Sequence, residues 1–364
     1  MKLLTIVGAR PQFIKAAVLS RYLRNNPSYG ISEVILHTGQ HYDENLSDIF
    51  FREMDIPEPD FNLNTGSGNH GKTTGFMLSG IEEIILSQKP DVVLVYGDTN
   101  STLAGALAAS KLHVPVAHVE AGLRSYMMKM PEEQNRRLTD HLSTWLFCPT
   151  FTAVNNLEKE GITDSSDITQ PSSDNKHVLM TGDIMYDASL YYQKKIVKKS
   201  FEEGFILLTI HRAENTDDPV RLSSILEAIN NLSEYNFIFP IHPRTRKILS
   251  EQNLTFRSHV KLIDPVGYLE MLSLEAACFA ALTDSGGVQK EAYFNKKPCI
   301  TMRDSTEWVE LVDSGWNTLT GACTDKIEYA VRNLKIPSQY TTLYGDGNCA
   351  EKVCKILENH KGKL

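Results

Sequence analysis

The chain has no apolar run approaching the ~20 residues that a membrane-spanning helix needs. The apolar stretch within Met1–Gly8 is too short for the core of a signal peptide, and it enters a turn rather than a cleavage site. Both absences lead to the expectation of a cytoplasmic, soluble protein. There is no C-x-x-C pair among the six cysteines, Cys148, Cys278, Cys299, Cys323, Cys349 and Cys354. Four of them lie in or beside apolar segments, as buried thiols do, so they read as reduced and structural, and no metal site is expected. A basic run of the kind found in nucleic-acid binders is also missing. The nearest, Lys194-Lys195-Ile196-Val197-Lys198-Lys199, reads as a solvated helix end or loop. A net charge of −8 does not exclude an anionic ligand, because a cleft can be locally positive in an acidic protein.

What is present suits a globular protein of two domains. The 364 residues exceed the ~250–300 at which one hydrophobic core stops growing. Short β-branched apolar runs alternate with longer helical patterns. The runs are Leu3–Val7, Glu33–His37, Val92–Tyr96, Val116–Val119, His177–Met180, Phe205–Ile210, Asn236–Pro240, Ala280–Thr283 and Pro298–Thr301. Most are hydrophobic nearly throughout, as in parallel strands covered on both faces. The rhythm predicts an α/β protein of two Rossmann-like, doubly wound parallel-sheet domains. The polar stretch over 163–177 marks the expected boundary, giving domains 1–176 and 177–347. The end of the chain, 348–364, contains a short amphipathic helix that could pack back on the first domain.

Polar, unusual residues follow six of the apolar runs: Gly8–Gln12, Gly97–Thr99, Glu120–Arg124, His211–Asn215, Asp284–Gly287 and Met302–Glu307. In open α/β sheets ligands bind outside the carboxyl ends of the strands, so these segments point to a cleft shared by the two domains. Asp284–Glu291 reads as a phosphate site. Gly286 and Gly287 let a backbone come close, Ser285 precedes them, and the following helix offers unpaired N–H groups to an anion. Glu291, a turn further in, is placed to accept from ribose hydroxyls. Neither a dinucleotide-binding turn nor a P-loop is expected anywhere in the chain, which weakens nicotinamide and P-loop readings. Asp98, Glu120 and the Glu132–Glu133 pair form the candidate acid–base set, because taking a proton from an unactivated carbon needs a carboxylate held dry and close, with another acid able to protonate the opposite side. A carboxylate directly after the apolar Val116–Val119 is costly unless paired or used. His118 reads as a satisfied core histidine, whereas His211 could donate to a phosphate oxygen. Arg10 could contact a diphosphate, with Lys15 on the helix that follows.

Taken together, these segments resemble the non-hydrolysing UDP-N-acetylglucosamine 2-epimerases. The similar motifs run in order along nearly the whole chain: Gly8–Lys15, Thr38–His41, Gly97–Thr99, His118–Arg124, Pro131–Arg136, Thr181–Asp183, His211–Asn215, Thr283–Glu291, Met302–Glu307 and Tyr344–Gly347. The resemblance implies a GT-B-like fold, a homodimer, a UDP-sugar substrate and no dissociable cofactor. It also implies that UDP is eliminated across C1–C2 to leave a bound glycal, and re-adds after protonation on the other face. By matching motifs, Asp98, Glu120, Glu132 and His211 are the implied catalytic group. Arg10, Met271, Ser285, Gly286, Gly287 and Glu291 are implied in UDP binding, with Lys15 and Arg303 assigned to the substrate site. The preferred reaction is UDP-GlcNAc to UDP-ManNAc for surface polysaccharide synthesis.

Departures from the family pattern bear on the sugar. Gln12-Phe13 and Trp308-Val309 stand where the family carries Glu-Ala and Arg-Pro. Both resemble the subgroup that includes UDP-2,3-diacetamido-2,3-dideoxyglucuronate 2-epimerases, which is the alternative reading. Trp308 is expected to present an aromatic surface to the sugar, and Arg303, Lys129 or Arg137 to meet a uronate. Ala213 and Tyr42 also differ from the common pattern. A hydrolysing 2-epimerase, a retaining glycosyltransferase and a non-catalytic sugar-nucleotide sensor are weaker rivals.

Overall fold

The computed structural model describes residues 1–39, 55, 57–66, 68–165, 174–196 and 204–360. Gln40, His41, Tyr42, the side chain of Arg10, parts of both polar stretches (166–173 and 197–203) and the last four residues lie outside them.

Contacts divide the chain into a unit of residues 1–188 with 342–364, and a unit of residues 189–341. In the first unit, β1 (Lys2–Val7), β2 (Ser32–His37), β3 (Phe61–Asn62), β4 (Val92–Tyr96), β5 (Val116–Val119), β6 (Trp145–Cys148) and β7 (His177–Met180) form one sheet. The spatial order is β3-β2-β1-β4-β5-β6-β7, and all neighbours are parallel. The central strands are apolar throughout because helices cover both faces. Leu4, Ile6, Val93 and Val95 pack against Met77, Ile81, Ala104 and Ala108 on one side.

The second unit holds β8 (Phe205–Thr209), β9 (Asn236–Pro240), β10 (Val260–Ile263), β11 (Ala280–Thr283), β12 (Cys299–Thr301) and β13 (Asn317–Leu319). Their order is β10-β9-β8-β11-β12-β13, again parallel. Both units are therefore doubly wound α/β sheets. The strand order reverses between β1 and β4 in the first and between β8 and β11 in the second, and such reversals open crevices at the strand ends.

The division differs from the boundary expected at 176/177. β7 pairs with β6 in full register, Trp145 opposite His177 and Cys148 opposite Met180. The polar stretch before it is thus a connection inside the first unit. The helix Cys349–Asn359 belongs to the first unit and packs on the helix Arg10–Asn25. Buried Asp187 holds its start, accepting from the N–H groups of Cys349 (3.1 Å) and Ala350 (2.9 Å).

Candidate active site

The first unit brings Lys15, Asp98 and Glu120 to the ends of β1, β4 and β5. Gln12 ties two of these ends together. Its Oε1 accepts from the N–H groups of Gly8 (2.8 Å) and Ala9 (3.0 Å), and its Nε2 donates to the Tyr96 carbonyl (2.8 Å) and to Thr102 Oγ1 (2.9 Å). Beside this clamp, buried Lys15 pairs with Glu120. Glu120 has φ +71°, a left-handed backbone that costs a residue with a side chain about 1–3 kcal/mol. The turn aims its carboxylate at Gly97. A Cβ on Gly97 would stand 3.3 Å from Glu120 Oε2 and 3.4 Å from Lys15 Nζ, and Gly97 is itself at φ +62°. Glycine is required there on both counts.

Asp98 follows Gly97 and pairs with Arg136. Asn135 Nδ2 donates to the Asp98 carbonyl (2.9 Å) and to Asn100 Oδ1 (3.1 Å). Both partners come from the helix Pro131–Leu142, which Pro131 starts at its first position. Glu132 lies three and four residues before them, hence on the same face of that helix, and it is exposed. Its neighbour Glu133 is structural. It is buried and accepts from the N–H of Ser125 (2.8 Å), Ser125 Oγ (2.9 Å), the N–H of Tyr126 (3.2 Å) and Arg136 Nη1 (3.1 Å).

Behind these acids lies a buried charge network. His118 Nδ1 meets Asp140 Oδ1 at 2.7 Å and His118 Nε2 meets the Gly97 carbonyl at 2.7 Å, so the core histidine is indeed satisfied. Asp140 also accepts from Arg124 Nη1 (2.7 Å) and the N–H of Gly122 (3.2 Å), and Arg124 continues to Glu160 (2.9 and 2.8 Å). Burial alone would raise the Asp140 carboxyl, but His118 and Arg124 together hold it below the ordinary carboxylate range.

In the second unit, Asp284 organises the end of β11. Fully buried, it accepts from the N–H groups of His211 (3.1 Å to each oxygen) and Arg212 (3.0 Å), and from Asn215 Nδ2 (3.2 Å). His211 Nδ1 stands 3.3 Å from Asp284 Oδ1, and the ring is 48% exposed. Desolvation lowers the His211 pKa and outweighs the opposing pull of Asp284. Ser285 caps the helix Gly286–Phe294, so the first N–H groups of the helix, those of Gly286 and Gly287, point outward. A Cβ on Gly286 would lie 2.7 Å from Glu307 Oε1, whereas one on Gly287 meets nothing closer than 3.8 Å. Met271 packs partly buried against Phe205, Leu207 and Leu274, and Glu291 is buried.

Three positions differ from their expected exposure. Trp308 is 4% exposed and carries Lys290 over its ring at 4.1 Å, so it presents no aromatic surface. Phe13 is buried against His37, ring centroids 4.8 Å apart. Arg303 is buried and paired with Glu307 at 3.0 Å. Contrary to the expectation that the chain has neither motif, Gly66–Thr73 has the spacing of both a dinucleotide-binding turn and a P-loop. Its context is that of neither motif. It follows a two-residue edge strand, Lys72 is exposed, and Thr73 Oγ1 bonds back to the carbonyls of Asn69 and His70 (3.1 Å each). Among the described residues, no group of three His, Cys, Asp or Glu could hold a metal ion, and no helix is long and apolar enough to cross a membrane.

Two doubly wound sheets define a class of α/β enzyme that handles nucleotide-linked substrates. One reversal carries paired carboxylates and cations, and the other a glycine-started helix. The family model for UDP-N-acetylglucosamine 2-epimerase matches residues 23–358. A UDP-2,3-diacetamido-2,3-dideoxy-D-glucuronate 2-epimerase of Pseudomonas aeruginosa is 51% identical, over 98% of this chain and 99% of its own. The crystal structure of the Methanocaldococcus jannaschii UDP-GlcNAc 2-epimerase, in complex with UDP-GlcNAc and UDP, is 45% identical. It has a TM-score of 0.87, over 99% of this chain and 100% of that one. A Streptomyces nogalater glycosyltransferase, at 13% identity and TM-score 0.52 over 98% and 99% of the two chains, shares the fold alone. The chain belongs to the UDP-N-acetylglucosamine 2-epimerase family, and its fold is GT-B-like.

Proposed function

We propose that this chain inverts C2 of a UDP-linked N-acetylamino sugar, with UDP-GlcNAc to UDP-ManNAc as the preferred reaction. The observation that carries the reading is Glu120. It is held in a strained left-handed turn against Lys15 and Gly97, and Gly97 immediately precedes the Asp98 of the Asp98–Arg136 pair.

In this reading a carboxylate of the Asp98, Glu120 and Glu132 set takes the C2 proton. The electron pair left at C2 becomes the C1=C2 bond as the C1–O bond breaks and UDP departs. A second acid of the set protonates C2 on the opposite face, and a UDP oxygen closes on C1. Lys15 lowers the cost of the charged Glu120, and His211 donates to the departing diphosphate. The N–H groups of Gly286 and Gly287 receive its oxygens, and Arg10 adds charge. Met271 stands beside the uracil and Glu291 accepts from the ribose. The working form is taken to be a cytoplasmic homodimer without a dissociable cofactor, which size exclusion with light scattering checks.

The 51% identity to the P. aeruginosa enzyme favours a second reading, in which the substrate is the diacetamido-uronate. Against it, the departures at Gln12, Phe13 and Trp308 are buried, and Arg303 is engaged by Glu307. Arg137 pairs with Glu160 at 3.1 Å, which leaves exposed Lys129 as the best placed of the three cations for a uronate.

Proton NMR in deuterated water tests both readings. With UDP-GlcNAc the C2 hydrogen should exchange for deuterium while both epimers accumulate as UDP-sugars, and Glu120→Gln should slow the exchange by roughly 10²–10⁴-fold. Free sugar released at the rate of epimerisation would sink the proposal. A tenfold kcat/KM preference for the uronate, about 1.4 kcal/mol of transition-state binding, would move the assignment to the second reading.

A further inference from the structure

Glu275 sits on the helix Tyr268–Ala277 and is 0% exposed. Neither of its oxygens receives a bond from a donor among the described residues. Its side chain lies within hydrogen-bond reach of Glu291, on the helix Gly286–Phe294 that starts at the proposed diphosphate site. The phenol of Tyr268 is buried on the same helix as Glu275 and lies close enough to feel the charge of Glu291. Two ionised carboxylates offer only acceptors to each other, so a bond between them requires a proton on one. Burial is the first cause that pushes the Glu275 carboxyl well above its ordinary range, and the charge of Glu291 is the second.

Among the described residues, no cation acts on Glu275 itself to balance a second negative charge, and Lys297 acts only on the neighbouring Cys278. Tyr268 is raised by burial and packs edge-on against Tyr192 at 5.7 Å. The thiols of Cys278 and Cys299 are pushed up to about 12, by burial first and with Glu275 among the causes, so both are neutral.

We propose that Glu275 is a positioning residue for nucleotide binding: as the neutral acid it donates its O–H to Glu291 and fixes that carboxylate for the ribose hydroxyls. This rests on the reading of Glu291 as the ribose acceptor. Glu275 touches no substrate. It acts through Glu291, whose remaining lone pairs are aimed by the O–H of Glu275 behind it. As pH rises and Glu275 ionises, the donor is lost and two buried negative charges oppose each other, so UDP binding weakens.

The test is calorimetry of UDP and of 2′,3′-dideoxy-UDP from pH 6 to 9, on the wild-type enzyme and on Glu275→Gln, Glu275→Met and Glu291→Gln. Glu275→Gln keeps a donor without the charge and should bind UDP within about twofold of wild type, with a flatter pH profile. Glu275→Met should weaken UDP about tenfold, ~1.4 kcal/mol, and leave the dideoxy analogue unaffected. A Glu275→Met enzyme that binds UDP normally, or loses both ligands equally, overturns the inference while Glu291→Gln still weakens UDP. Unchanged UDP affinity in Glu291→Gln overturns the ribose reading, and this inference with it. Infrared difference spectra give a readout independent of binding. The carbonyl stretch of a protonated carboxylic acid should be present in wild type at neutral pH and absent in Glu275→Gln; its absence from wild type refutes the neutral acid.

Discussion

Replacing Asp140 by asparagine should destabilise the first unit although the change removes no heavy atom. The carboxylate accepts from His118 Nδ1 (2.7 Å), Arg124 Nη1 (2.7 Å) and the N–H of Gly122 (3.2 Å), and it is fully buried. An asparagine has one acceptor oxygen and one donor NH₂, so in either orientation a donor faces a donor. A buried guanidinium also loses a balancing charge. Breaking a buried ion pair from one side costs about 3–5 kcal/mol. For a unit of this size that is a drop of roughly 6–20 °C in Tm, at 2–4 °C per kcal/mol. The folded-state carboxyl is held below its ordinary range, so its contribution is present above the unfolded pKa of about 3.9 and is lost as pH falls through the folded value. The difference between wild type and Asp140→Asn should therefore be full above about pH 5 and narrow in acid. Urea unfolding followed by tryptophan fluorescence (Trp145 lies in β6 of this unit) measures it across pH. A cost under about 1 kcal/mol at pH 7, or one that does not change with pH, would refute the network as a charge-based support. Epimerisation should slow as well, because Asp140 holds His118, and His118 holds the Gly97 carbonyl beside Asp98 and Glu120.

Gly97→Ala should lower kcat strongly, since its Cβ meets Glu120 at 3.3 Å, and should cost stability of about 1–2 kcal/mol for a left-handed alanine; unchanged turnover would show that the Glu120–Lys15 geometry is not read by the reaction. Gly287→Ala should fold as wild type, because its Cβ has 3.8 Å of clearance, yet bind UDP more weakly in calorimetry where the diphosphate must approach the backbone; unchanged affinity would move the nucleotide elsewhere. Glu275→Gln should be more stable than wild type at pH 8 and equal to it near pH 4, because a carboxyl with a raised folded pKa loses stability as pH rises from the unfolded value; equal denaturation midpoints at both pH values would contradict the buried neutral acid.

The strands legible in the sequence were those with sustained apolar runs, among them β1, β4, β5, β8, β9 and β11. Those that escaped it are short or lie at an edge. β3 has two residues and β13 three, and the middle of β10 is exposed. β6 lies inside the sheet, but Trp145–Cys148 is four residues long with no β-branched member. The ends of strands were legible as functional because polar residues there break an apolar rule. Inside against outside was harder. Glu132 and Glu133 are neighbours, and a helix turn of 100° per residue sends one into solvent and the other into a cage of donors. The buried face around Glu133 is itself polar, with Asn135, Arg136, Thr139 and Asp140, so hydrophobic periodicity cannot mark it. Gln12, Phe13 and Trp308 stand out against the family pattern, yet a departure in identity carries no information on burial. Glu275 gave no signal because a lone glutamate in Leu272–Ala277 reads as the solvent face of a helix.

The number of donors around each acid separates the structural carboxylates of the first unit from those assigned to chemistry. Asp140 and Glu133 are fully buried, with three donors on the first and four on the second. Asp98 differs, with 32% of its side chain exposed and Arg136 as its cationic partner. Glu120 differs in another way, since its backbone is held in a conformation that a glycine would adopt more readily. Strain of about 1–3 kcal/mol persists only where the surroundings over-determine it. Around Glu120 those surroundings include the Phe147 carbonyl, which accepts from the N–H groups of Glu120 and Ala121 (3.1 Å each), and the ion pair with Lys15. In the proposed reaction two carboxylates exchange protons with carbon, and that work needs a fixed frame around them. The donor-saturated Asp140 and Glu133 supply that frame next to the strand reversal that carries Asp98 and Glu120.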